Sequence, residues 1–364
     1  MTFMPEDLDI LTSPATRRLI EAHLGEDPVR LALTLKGDRR QAALVASQVK
    51  YLDRTRTKLP SYYAARCIVP PLAYEQSSGE AAAATKDYSG SLAVDLTCGL
   101  GVDAFYLSKQ FRRVIAVERD PVLAAVARYN FSLLGAENIS VKNTAAEDFL
   151  KNYAGECPDL IYVDPSRRDA NARKVFLIGD GSPNVLELMP ALLSLAPRVV
   201  VKNSPLFDIA AAGQLFPKHL SRIETVSVGG ECKELLTEFF VTAPQEVPID
   251  ITVAGTGRWR FSAGDISGKP AVTDTTLSPE TFPYLLILDV AFYKARMVKT
   301  YFDRCQPAIE AWVPAPGSFC FSKKIPDDFP GKPFRIIRCE EYRPKKLARE
   351  LKARGIRRIT VLKK

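Results

Sequence analysis

Histidine is nearly missing from this chain of 364 residues, with only His23 and His219, and its seven cysteines form no Cys-x-x-Cys pair. A zinc site lacks ligands at usable spacing, so no metal is expected, and free thiols in a reducing compartment are. Long apolar runs are missing too: none approaches the roughly 20 residues that a membrane-spanning helix needs. The opening "MTFMPEDLDILTS" shows no basic-then-apolar leader, and a cytoplasmic protein that does not engage a membrane is expected. A Gly-x-Gly-x-x-Gly dinucleotide fingerprint is also absent.

What is present is ample apolar content (46%) for a core, and an uneven charge. The net charge is +8, yet Gly331 to Lys364 holds 13 Lys and Arg against three Glu, so the rest is slightly acidic. Such a basic module is the footprint of a nucleic-acid binder or, more plainly, a solvated face.

Three regions follow from the patterning. Residues 1–85 read as helical: Ser13 and Pro14 open "SPATRRLIEAHL", then come "DPVRLALTL" and "GDRRQAALVASQVKYLDRTRTKL", with interruptions near Pro60 and in "VPPLAY". Residues 86–245 alternate short β-branched runs with helical stretches, which predicts a doubly wound α/β domain. "APQEVP" marks a boundary, and 246–364 reads as a basic α+β region, with strands in "IDITVAG" and "WRFSA" and a helix near 284–304.

"AVDLTCGLGVDAF" puts Asp95 at the end of a buried strand, then a turn with Thr97, Cys98, Gly99 and Gly101, with Asp103 opening a helix. Glycines there permit a tight turn and close approach of a ligand to backbone N–H groups. Glu118, beside Arg119, ends the next strand 23 residues after Asp95, where an acid binds ribose hydroxyls. Glu147 and Asp148 follow the third strand. Asp148 suits either an adenine amino group or a helix dipole. Together the set fits S-adenosylmethionine (SAM).

The chain resembles a bacterial family of SAM-dependent methyltransferases. The matching stretches are "KLPSYYA" (58–64), "EQSSGEAAAATK" (75–86), "DLTCGLGVD" (95–103), "YVDPSRR" (162–168), "VVVKNSP" (199–205), "GGECKELL" (229–236) and, more loosely, "DDFPGKPFRI" (327–336). That resemblance implies a Rossmann-like core after helices, then ferredoxin-like and THUMP-like pieces, and RNA as substrate. Arg168, Lys345, Lys346, Arg349 and Arg354 would then grip RNA.

Asp164-Pro165 at a strand end is the expected catalytic corner. Enzymes that methylate planar amines usually continue with Pro and an aromatic; here Ser166, Arg167 and Arg168 follow. Asp164 would orient the amine, and a guanidinium would stack on the base or hold a phosphate, unless both arginines pair with local acids such as Asp169. A rival set for ribose methylation is Lys86, Asp164, Lys202 and Glu231 or Glu234, with the reach of Lys86, nine residues before Asp95, left open. Cys98 sits in the cofactor loop, where a small side chain suffices, and Cys232 is a poor nucleophile between Glu231 and Glu234. Gln76, Ser77, Ser78 and Glu80 would line the methionine end, or Ser77 or Ser78 would simply cap a helix. Protein or small-molecule methylation, and SAM or RNA binding without turnover, are the remaining function classes.

Overall fold

The computed structural model describes residues 3–166, 181–209, 218–265, 282–304, 311–313, 319–338 and 340–359. Proline sets the helix starts of the N-terminal region. α1 (Pro5–Thr12), α2 (Pro14–Ala22), α3 (Pro28–Thr34), α5 (Pro60–Ala64) and α6 (Pro71–Gln76) each begin on proline, whose fixed φ and missing N–H suit the first helical position. The stretches read as interruptions near Pro60 and in "VPPLAY" are therefore new helices. Ser13 caps α2 through Thr16 N, while Asp27 and Asp38 cap α3 and the long α4 (Arg39–Lys58). α7 (Glu80–Ala83) ends the region.

Nine strands then form one sheet. They are β1 (Gly90–Asp95), β2 (Phe111–Glu118), β3 (Ile139–Asn143), β4 (Leu160–Val163), β5 (Arg198–Asn203), β6 (Leu220–Val228), β7 (Glu231–Phe240), β8 (Pro248–Val253) and β9 (Gly257–Ser262). Their order is β3-β2-β1-β4-β5-β7-β6-β8-β9. The first five are parallel, joined by α8 (Val102–Ser108), α9 (Pro121–Leu133), α10 (Ala146–Asn152) and α11 (Val185–Leu195). This is the Rossmann-like α/β core that the alternation predicts. The order reverses between β1 and β4, which opens a crevice at the carboxyl ends of the strands.

Two expectations need correction. The boundary placed after residue 245 does not interrupt the sheet: β8 pairs in parallel with β6, and β9 pairs antiparallel with β8. Ile249, Ile251 and Phe261 on these strands are buried in the same core as Ile223 and Phe239. The helix expected near 284–304 is instead β10 (Tyr284–Leu288), then α12 (Val290–Lys294), capped by Asp289, and α13 (Val298–Arg304). "YLLIL" is a central strand with apolar residues on both faces, which a short run does not distinguish from a buried helix. With β11 (Ala311–Val313), β12 (Phe319–Ser322) and β13 (Gly331–Arg335) it makes an antiparallel sheet ordered β11-β12-β10-β13. α14 (Pro344–Ala353) follows and buries none of its residues. Among the described residues no helix is long and apolar enough to cross a membrane.

The N-terminal helices meet the core through a non-strand segment, Cys67–Val69. Asn130 of α9 accepts from Ile68 N at 2.8 Å and donates to Ile68 O at 2.8 Å. Gln48 of α4 does the same for Val69, at 3.0 and 3.1 Å. All of these groups are buried, so each bond replaces water that cannot enter. Asn130→Ala is expected to lower stability by about 2–4 kcal/mol, since two buried backbone groups lose their partner, and urea unfolding checks this.

Candidate active site

A cleft of about 1030 Å³ opens at the carboxyl ends of β1, β2, β3, β4 and β5. Its floor is the turn after β1. Gly99 and Gly101 there adopt positive φ (55° and 88°), and a Cβ on Gly101 would stand 2.5 Å from the Phe131 ring. Only glycine fits that position. Thr97, Cys98, Gly99, Gly101 and Asp103 line the cleft, as do Glu118, Arg119, Glu147, Asp164, Pro165 and Ser166.

Two expected contacts fall elsewhere. Asp148 is exposed on α10 and off the cleft wall, while its neighbour Glu147 lies on it. Asp95 lies behind the wall, 1% exposed, where its Oδ1 accepts from Thr97 N at 2.9 Å. Thr97 Oγ1 in turn accepts from Asp164 N at 2.6 Å, so the acid of β1 fixes the corner after β4 at one remove. Among the described residues the Asp95 Oδ2 is buried without a hydrogen-bond partner. Burial lifts the Asp95 carboxyl from an ordinary 3.8 to about 8; the Thr97 bond opposes this, and Asp103, Asp164 and Glu118 add to it.

Behind Asp164 lies a buried ionic cluster. Lys202 Nζ stands 2.7 Å from Asp164 Oδ2, 3.6 Å from Glu234 and 3.8 Å from Asp103. It also donates to Ser78 Oγ at 2.7 Å, and Ser78 donates to Asp103 at 2.6 Å. Lys86 reaches this cluster after all, at 2.8 Å from both Asp103 and Glu234. Glu231, the other acid considered with Glu234, is exposed and pairs with Lys233. Burial disfavours the Lys202 charge, yet Asp164, Glu234 and Asp103 hold its pKa well above the ordinary lysine value. For Asp103, burial raises the carboxyl and Lys86 with Lys202 draw it far below its usual range. Losing Lys86 or Lys202 would strand buried carboxylates, at about 3–5 kcal/mol.

The sequence reading places Ser78 at the methionine end or at a helix cap, and its place in this cluster was not foreseen. Gln76 and Ser77 line the cleft beside it, whereas Glu80 serves the start of α5, accepting from Ser61 N and Tyr62 N. Burial, then Asp95, Glu118 and Asp103, push the Cys98 thiol well above its usual pKa, and burial lifts Cys232 to about 11. Neither is an activated nucleophile. Ser166 and Ser182 exchange backbone hydrogen bonds of 2.8 and 3.1 Å, and Arg119 donates to Ser182 Oγ at 3.0 Å. Arg167 and Arg168 lie outside the described residues. Lys345, Lys346, Arg349 and Arg354 are exposed on or just after α14, away from this cleft's wall. Among the described residues no group of three or more His, Cys, Asp or Glu is placed to hold a metal ion.

No family model matches the chain. The ribosomal RNA small subunit methyltransferase J of Pseudomonas fluorescens (strain SBW25) is 34% identical over 129 residues, which are 30% of this chain and 49% of that protein. An uncharacterised SAM-dependent methyltransferase of Mycobacterium tuberculosis (strain ATCC 25618 / H37Rv) is 31% identical over 147 residues, 40% of this chain and 38% of that one. The chain thus spans about half the length, or less, of these two relatives. A solved structure of a candidate methyltransferase from Porphyromonas gingivalis W83 matches with a TM-score of 0.78 and 26% identity, over 97% of this chain and 87% of that one. The central domain shares the architecture of these SAM-dependent methyltransferases.

The raised Asp95 pKa has a sign that can be checked. The fold holds this proton up to about pH 8, whereas the unfolded chain releases it near 3.8, so its contribution to stability is present at low pH and is lost as pH rises toward 8. Asp95→Asn removes that slope. Melting curves at pH 5, 7 and 9 should show the variant gaining on the parent as pH rises.

Proposed function

We propose that this protein methylates a base nitrogen of RNA, with small-subunit ribosomal RNA the first candidate. The observation that carries the reading is Asp164: its carboxylate lies on the cleft wall, 23% exposed, with one oxygen tied to Lys202 and its backbone N–H tied to Thr97. The relative from Pseudomonas, a small-subunit ribosomal RNA methyltransferase by name, supports the choice of RNA.

The donor set suits SAM. Glu118 would hold the ribose hydroxyls, the apolar Val117, Val122 and Leu123 would receive the purine, and the zwitterionic methionine portion would lie toward Asp103 and its lysines. Bound SAM supplies an electrophilic methyl group. Asp164 then accepts an N–H of the target amine, which turns the nitrogen lone pair toward the methyl donor. As the N–C bond formed and the methyl's bond to sulfur broke, leaving a neutral thioether, the nitrogen would become cationic and the Asp164 carboxylate would be placed to accept the proton it sheds. Lys202 keeps that carboxylate oriented.

The same cluster counts against the ribose alternative. Lys86, Asp164, Lys202 and Glu234 do converge, but three carboxylates hold Lys202 as an ammonium. As an ammonium, Lys202 cannot itself take a proton from a hydroxyl and could favour a ribose oxyanion only through its charge. For RNA contact, Lys345, Arg349 and Lys352 stand at i, i+4 and i+7 and share one face of α14. Lys346 is turned to Glu340 at 2.9 Å.

Labelled methyl from SAM should pass to RNA from cells lacking this gene, and nucleoside digestion should place the label on a base. Label confined to protein or small molecules would overturn the reading. Asp164→Asn should lower kcat by about 100-fold or more while SAM affinity stays within a few-fold of the parent. Replacing Lys345, Arg349 and Lys352 by Ala should flatten the dependence of log affinity for RNA on log salt by about 2–3.

A further inference from the structure

An aromatic after Asp164-Pro165 would hold a base flat, and the chain has none there. The cleft offers a different apolar surface. Leu206 is 73% exposed and Leu72 is 60% exposed, and both line the cleft that Asp164 lines. A single exposed leucine is ordinary. Two on the wall of one cleft that Asp164 also lines, from separate elements, are not explained by packing.

Their backbones are firmly held. β5 runs parallel beside β4 with Val201 opposite Val163, so the turn at 204–206 lies next to Asp164–Ser166. Ser204 builds that turn: its Oγ accepts from Leu206 N at 3.1 Å and its carbonyl from Phe207 N at 2.9 Å. Phe207 is buried in the core, so the turn is anchored while Leu206 is left outside. Leu72 stands on α6, where Tyr74 is buried and donates to Arg54 O at 3.0 Å. Rigid backbone carrying an apolar side chain into solvent is the arrangement expected of a surface kept for a ligand.

We propose that Leu206 and Leu72 form the apolar seat of the target base, so that the acceptor is a neutral, unstacked heterocycle. The proposal rests on the RNA-base reading above. A base drawn out of its stack loses face-to-face contact, and an aliphatic wall restores dispersion and burial on a π-face of either ring size. Discrimination between bases would then fall to the polar edge at Asp164.

The exposure of both leucines makes the test clean, because substitution there removes no core packing. Leu206→Asp and Leu72→Asp should each lower kcat/KM for methyl transfer to RNA by about tenfold or more. Leu206→Phe, which keeps an apolar face, should lose less. SAM affinity and melting temperature should match the parent in all three. Leu33→Asp, at an equally exposed leucine (82%) on α3 and off the cleft wall, should behave as the parent. Unchanged kcat/KM in a double Leu206→Asp, Leu72→Asp variant would overturn the seat, and so would a loss of SAM affinity that accounts for the lost activity. Absence of transfer to RNA by the parent protein would overturn the RNA reading itself, and the seat with it.

Discussion

The buried cluster of Lys86 and Lys202 with Asp103, Asp164 and Glu234 is the constraint on which the rest of the site depends. It joins the end of the helical region, the helix after the glycine turn, β5 and β7 at one point. Three carboxylates face two ammonium groups, so neither lysine can be lost without leaving carboxylates unmatched in a poorly solvated place. Ser78 completes the arrangement by accepting from one side and donating to the other.

That cluster is also where sequence reading runs out. The strand-end acids, the glycine turn and Asp164-Pro165 are legible because each sits at a fixed offset from a local pattern. Lys86 was harder: nine residues before Asp95 looks remote along the chain. β1 begins only at Gly90, and the residues before it bring Lys86 to Glu234, 148 positions away. No local rule encodes such a distance. Asp95 is a subtler case. Its position at a strand end was readable, but whether its side chain faces the cleft or the turn behind it depends on Thr97, which competes for the same carboxylate.

The fold shows the same division. Alternation of strands and helices identifies the doubly wound core, because that pattern has few packed solutions. The extent of the sheet was not legible, since "APQEVP" is a turn composition that occurs inside sheets and between domains alike. β8 continues the sheet because Ile249 and Ile251 have an apolar face to bury beside β6. The short run "YLLIL" was ambiguous for the related reason that burial on both faces erases any period.

The amide clamps on Cys67–Val69 have a consequence for cooperativity. Ile68 and Val69 have their N–H and C=O groups served by side chains from α9 and α4, not by a neighbouring strand. Undocking the helices would therefore expose the two paired backbone groups of Ile68 together with the apolar face beneath them. Apolar residues of both regions, such as Leu52 and Tyr62 with Val114 and Phe131, already share one core. The smallest unit that folds is thus larger than the methyltransferase sheet and its flanking helices, and the N-terminal helices melt with it as a single body.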